Sequence, residues 1–168
     1  MRIGLISDTH VPSSMRVLWP EIRTAFLGVD LILHAGDIYD LSCLDWLEEI
    51  APVMVARGNG DAYTPEDPRI KDVQIIEVES RKIGMVHGLY YPGPSLEKEM
   101  RRNFGGPVDI IIFGDTHVET IERHDGVLLV NPGSPTYPHN YETRLGTVGI
   151  LELTPSEVEA RIINLKEL

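Results

Sequence analysis

The stretch DIIIFGDTHVET, residues 109–120, sets a run of β-branched residues against a glycine and then offers Asp115 and His117 two positions apart. Side chains two apart in an extended segment point the same way, so these two can converge on one pocket. Taken alone, such a stretch reads equally well as a surface turn in which Asp and Thr serve the backbone and His faces solvent. Four further segments end alike: SDTH at 7–10, HAGD at 34–37, RGNGD at 57–61 and VHG at 86–88. Each places Asp, Asn or His at a strand-to-loop junction, three of the four with glycine beside it, and open α/β sheets bind ligands at the carboxyl ends of their strands. Singly, Asp8 with His10 reads as an Asx turn, Asp37 as a helix cap, Asn59 as a left-handed turn residue and His87 as a satisfied core histidine. Together they form a cysteine-free set of carboxylate, amide and imidazole donors. Such a set suits Mn²⁺, Fe²⁺, Ni²⁺ or Zn²⁺, and an aspartate in its midst can bridge two ions. Glycines beside the donors let the backbone turn sharply and come close.

The elements that must carry these residues alternate in the first half. Residues 2–7 read as a buried strand, 20–28 as a helix opened by Pro20 and closed by Gly28, and 30–37 as a strand again. A second helix fits 40–50, with Leu41, Leu44, Trp46 and Leu47 on one side, before a third strand in 51–61. This βαβαβ order implies a parallel sheet covered by helices. Residues 62–72 read as a loop, interrupted by Pro65 and Pro68. Strands over 73–79 and 82–88, separated by Ser80-Arg81, suit a hairpin, and a helix spans 93–106. Strands at 108–115, 118–124, 127–134, 146–153 and 158–165 are joined mostly by turns too short for a helix, so the second half is antiparallel or mixed. Two packed sheets with outer helices accommodate both halves in a single domain over 1–168.

The bulk composition narrows the function. Apolar residues at 42% and charged ones at 24% fit an ordered, soluble chain. Fifteen Lys and Arg against 26 Asp and Glu leave a net charge of -11, which argues against tight nonspecific binding to a nucleic-acid duplex. Cys43 is the only cysteine, so no intrachain disulfide and no thiolate cluster can form, and a cytoplasmic location is expected. The opening apolar run meets Asp8 too soon to serve as a membrane span or signal core.

In order and nearly end to end, from SDTH to the NPGS of Asn131–Ser134, these motifs resemble the calcineurin-like metallophosphoesterases, specifically their small single-domain phosphodiesterase branch. The resemblance implies a four-layer αββα sandwich of two mixed β-sheets flanked by helices. It also implies hydrolysis of small phosphoesters by a hydroxide held between two divalent ions, most readily Mn²⁺. By position, Asp8, His10 and His117 would hold one ion, Asn59 and His87 the other, and Asp37 would bridge them. Relatives of this kind form dimers or tetramers, an analogy that leaves a homo-oligomer open. The same fold also serves as a noncatalytic scaffold in a retromer subunit, which is the alternative expectation. Against it stand the six intact donors.

Two positions depart from the family pattern. Asp115 stands where a histidine would complete the second ion's ligands, leaving direct coordination, coordination through water, or a weakened site. Gly60 stands where many relatives place a histidine that protonates the leaving oxygen; His139 is the one downstream candidate to replace it, though a solvent-facing loop histidine is the commoner case. His34 reads as a core or supporting residue, and Asp61 or Thr116 as groups that could fix the tautomer of a ligating imidazole. Tyr90 and Tyr91 are the aromatics that could stack on a base or sugar.

Overall fold

The computed structural model describes residues 1–168. The first half folds as expected: β1 (Arg2–Ile6), α1 (Glu21–Ala25), β2 (Leu31–His34), α2 (Leu41–Glu48) and β3 (Val53–Ala56), with the three strands parallel neighbours. Asp40, rather than Asp37, caps α2 by accepting from the Ser42 amide at 2.9 Å. The predicted loop at 62–72 contains a short strand, β4 (Ile70–Lys71), because two residues suffice to extend the sheet alongside β3.

In the second half β5 (Gln74–Val78) and β6 (Arg81–Met85) form the predicted hairpin, but the turn is Glu79-Ser80, both left-handed, one residue earlier than the sequence suggests. Helix α3 (Leu96–Phe104) follows, capped by Ser95 and closed by Gly105 at φ 72°. Then come β7 (Ile110–Ile112), β8 (Thr120–His124), β9 (Val127–Asn131), β10 (Thr147–Leu153) and β11 (Val158–Asn164). One sheet runs β11-β10-β1-β2-β3-β4 and the other β5-β6-β7-β9-β8. Both are mixed: β10 returns antiparallel to β1, while β6, β7 and β9 run parallel.

The period of two along each strand builds the four layers. Ile3, Leu5, Leu31 and Leu33 meet Ile83, Met85, Ile110, Ile112, Leu128 and Val130 between the sheets. On the outer face of the first sheet, Ile6, Ile32 and Ile150 meet Ile22 and Phe26 of the α1 region and Leu44 and Leu47 of α2. On the outer face of the second, Ile111 and Leu129 meet Leu96 and Phe104 of α3. Cys43 also turns inward from α2, while Leu41 and Trp46 pack at the edge of that cluster, a shift from the predicted helix face. Each buried Ile or Leu contributes about 1.5–3 kcal/mol, so a one-residue slip that exchanged the two faces of a strand is strongly disfavoured. Each sheet admits one phenylalanine from its helical layer beside a glycine: a Cβ at Gly4 would stand 3.0 Å from the ring of Phe26, just past α1, and one at Gly84 2.8 Å from that of Phe104 in α3. No helix is long and apolar enough to cross a membrane.

Candidate metal centre

Both sheets point the carboxyl ends of their parallel strands toward one place. From the first sheet come Asp8 and His10 after β1, Asp37 after β2 and Asn59 after β3; from the second come His87 after β6, and Asp115 and His117 after β7. Donor atoms of Asp8, His10 and His117 lie within 4.8 Å of one another, and so do those of Asp8, Asp37 and His87. Asp37 faces both ways, with Oδ2 3.3 Å from His10 Nε2 and Oδ1 3.5 Å from His87 Nε2. Asp8 Oδ1 lies 3.5 Å from His117 Nε2 and 4.0 Å from Nε2 of His10 and of His87. Asn59 Oδ1 is 3.0 Å from His87 Nε2. Asp115 reaches His87 Nε2 at 3.6 Å but from a half-exposed position at the rim, outside both close groups.

The convergence is not that of an extended strand. Asp8, His10, Asp37, Asp115 and His117 have φ of 55°, 50°, 60°, 69° and 59°. Left-handed backbone is uncommon outside glycine and costs of order 1 kcal/mol or more per residue, so the surroundings must impose it. They do so through backbone bonds between neighbouring strand ends: Asp8 N to Gly36 O at 2.9 Å, His10 N to Asp37 O at 3.0 Å and Gly114 N to His87 O at 2.9 Å. The buried Asp61 carboxylate accepts from the amides of Asp37, Tyr39 and Gly58 at 2.8–2.9 Å. From the NPGS turn, Ser134 Oγ donates to Asp8 O at 2.7 Å and Asn131 Nδ2 to Gly114 O at 2.9 Å. Thus Asp61 clamps loop backbone and Thr116 pairs with Asn131; neither fixes an imidazole, as the sequence had suggested.

Backbone carbonyls fix the imidazoles instead. His87 Nδ1 donates to Ala35 O and His117 Nδ1 to Tyr137 O, each at 2.7 Å. A carbonyl only accepts, so the proton sits on Nδ1 and each Nε2 lone pair faces the carboxylates. Lone pairs set against acceptor oxygens repel unless positive charge lies between them. Asp8 Oδ1 and His10 Nε2 are moreover buried without a hydrogen-bond partner, a costly state for groups of this polarity. Burial pushes the Asp8 carboxyl above the usual carboxylate range, against the pull of His87 and His117. Burial also pushes Asp37 up, but His10, His87 and the Gly60 amide carry it below that range. The orphaned atoms and the mixed N/O donor set fit divalent cations. Glycines keep the space open: a Cβ on Gly36 would come within 2.6 Å of His87 Nδ1, and one on Gly58 would run into the Asp37 carboxylate.

His34 belongs to the core. Its Nδ1 accepts from Gly36 N at 3.1 Å, which places the proton on Nε2 for donation to Thr9 Oγ1 at 3.1 Å. Burial lowers its pKa to about 3, so it is neutral. The Cys43 thiol, pushed by burial up to about 12, is inert.

The family model of the calcineurin-like phosphoesterase superfamily domain matches residues 1–156. The chain belongs to this superfamily. It is 36% identical over 164 residues to a probable metallophosphoesterase of Methanothermobacter thermautotrophicus, covering 97% of this chain and 92% of that one. It is 29% identical to a phosphodiesterase of Methanocaldococcus jannaschii, covering 94% and 96%. Its fold matches that of Vps29 from Entamoeba histolytica, solved with Zn²⁺, with a TM-score of 0.70 at 24% identity over 98% of this chain and 99% of that one.

As a metallophosphoesterase it holds aromatics at the centre that sequence reasoning did not single out. The Tyr39 ring stacks on His10, centroids 4.6 Å apart, and Tyr137 lies 6.4 Å from His10 and 5.8 Å from His117. Tyr39 follows the candidate bridging aspartate by two residues, a spacing that could have flagged it. Of the tyrosines the sequence suggested, Tyr91 packs on the apolar layer between α3 and the second sheet, against His124, and Tyr90 is exposed. His139 pairs with Glu119 at 3.0 Å on the surface. A groove of about 390 Å³, lined by Arg57, Asn59, Asp72, His87 and Asp115, opens beside the centre.

Proposed function

We propose that the protein is a phosphodiesterase acting on small phosphodiesters with two divalent ions, Mn²⁺ foremost, in a cytoplasmic setting. The observation that carries this reading is the Asp37 carboxylate, whose two oxygens face Nε2 atoms of different histidines while Asp8 Oδ1 lies unpartnered between the two groups. On this reading Asp8, His10 and His117 hold one ion, Asn59 and His87 the other with Asp115 beside them, and Asp37 bridges. Bound cations there supply an acidified water as nucleophile and neutralise charge on the phosphoryl oxygens. The chain supplies position: the Ala35 and Tyr137 carbonyls aim the imidazoles, and Asp61 and Asn131 hold the loops that carry the donors. The likeness to the M. jannaschii phosphodiesterase supports the diester preference.

The test is turnover of bis-p-nitrophenyl phosphate and p-nitrophenyl phosphate. With Mn²⁺ the diester is expected to turn over faster than the monoester, and a chelator should abolish both. No turnover with Mn²⁺, Ni²⁺, Fe²⁺ or Zn²⁺ would leave a scaffold as the reading.

Asp115 sets the metal preference. A carboxylate is a harder ligand than imidazole, so Asp115→His is expected to raise affinity for Zn²⁺ relative to Mn²⁺ by about tenfold. Competitive metal titration of both proteins measures the ratio, and an unchanged ratio removes Asp115 from the ion's surroundings.

A further inference from the structure

We propose that the Tyr39 hydroxyl donates a hydrogen bond to the leaving oxygen of the substrate, standing where a side chain from position 60 would otherwise project. This rests on the phosphodiesterase reading.

A Cβ built on Gly60 would collide with Tyr39 Cε1 and come within 2.8 Å of its Cζ, the carbon that bears the hydroxyl. Tyr39 and any residue larger than glycine at 60 therefore compete for one volume. That volume borders the reacting centre, because Gly60 N donates to Asp37 Oδ1 at 2.7 Å and the tyrosine ring lies over His10.

The ring is held from its backbone. Tyr39 N donates to Asp61 Oδ1 at 2.8 Å, Thr64 Oγ1 donates to Tyr39 O at 3.1 Å, and the residue sits at φ 69°. A left-handed, doubly anchored tyrosine costs backbone energy that a plain surface aromatic would not require. Its hydrogen bonds are made by backbone N and O alone, so the hydroxyl has no partner within the chain and is open to a ligand. The other aromatic beside His10, Tyr137, is farther away and uses its carbonyl to hold His117.

In the reaction, water oxygen forms the new bond to phosphorus and its proton passes to solvent. The bond to the leaving oxygen breaks with its electron pair kept on that oxygen. Donation from Tyr39 stabilises the charge gathering there, and the released oxyanion takes its proton from water. The poorer the leaving group, the more this hydrogen bond matters.

The experiment compares the wild type with Tyr39→Phe on methyl phosphate diesters of p-nitrophenol, p-chlorophenol and phenol, with Mn²⁺. Tyr39→Phe is expected to lower kcat for every ester, the loss growing along the series to about tenfold or more with phenol while KM changes little. A uniform loss, or none, overturns the assignment while leaving the phosphodiesterase reading intact. Failure of the wild type to hydrolyse any of the three overturns both. A second measurement needs no turnover. Gly60→Ala is expected to lower the Tm, and to lower it far less in a Tyr39→Gly background, where glycine suits the left-handed backbone. Equal losses in the two backgrounds overturn the shared volume.

Discussion

Asp37→Asn is expected to lower kcat/KM for bis-p-nitrophenyl phosphate by about 10³-fold or more, with the fold retained. The direction of the amide follows from the structure. Gly60 N donates to Oδ1 at 2.7 Å, so the asparagine oxygen must stay there, and its NH₂ is left facing His10 Nε2, now 3.3 Å from Oδ2. An amide nitrogen carries no lone pair for a cation, so the His10 side loses a donor while the His87 side keeps one. Calorimetric metal titration should therefore show one of two ions lost or weakened. Far-UV circular dichroism and Tm in the absence of metal check that the protein remains folded. Two ions bound with unchanged affinity would show that Asp37 bridges nothing.

The second large effect is acid sensitivity through His34. The imidazole titrates near 6.5 when unfolded and at about 3 when folded, because burial opposes its charged form. Between those values the unfolded chain binds the extra proton, so stability falls as pH falls, by about 1.4 kcal/mol per pH unit from this group alone. Over the whole window the loss is on the order of 5 kcal/mol, a large part of a small domain's stability. Above pH 7 the group contributes no slope. His34→Asn keeps an acceptor for the Gly36 amide without the titration. Its urea midpoint should lie below the wild type's at pH 7, and the gap should close as pH falls toward 4. Parallel decline of the two proteins would show that the acid sensitivity lies elsewhere.

Much of this was legible because polar donors, with glycines beside Asp37, Asn59 and His87, follow strong strand patterns at Asp8, Asp37, Asn59, His87 and His117. The apolar runs in 2–7 and 30–37 likewise foretold the strands β1 and β2. What the chain did not disclose depends on backbone rather than side-chain identity. The carbonyls that aim His87 and His117 belong to Ala35 and Tyr137, and any residue there carries the same group. The left-handed turns at Asp8, His10 and Asp115 are not forced by residue type, so an extended segment was the natural expectation. The clamp that Asp61 places on three amides was hidden because two of them, those of Tyr39 and Asp37, lie 22 and 24 positions away and only the third belongs to its own loop. The volume shared by Tyr39 and Gly60 is a tertiary fact with no local signature.

The donors are divided between two sheets that touch through aliphatic side chains: Asp8, His10, Asp37 and Asn59 ride on one, His87 and His117 on the other. Sliding of one layer over its neighbour would pull the coordinating atoms apart, so cation affinity becomes a readout of how well a distant oily seam is filled. By the same coupling, loading the ions fastens the layers from their rim. Truncations such as Ile112→Ala, which touch no donor, should weaken metal binding and be partly rescued by excess Mn²⁺.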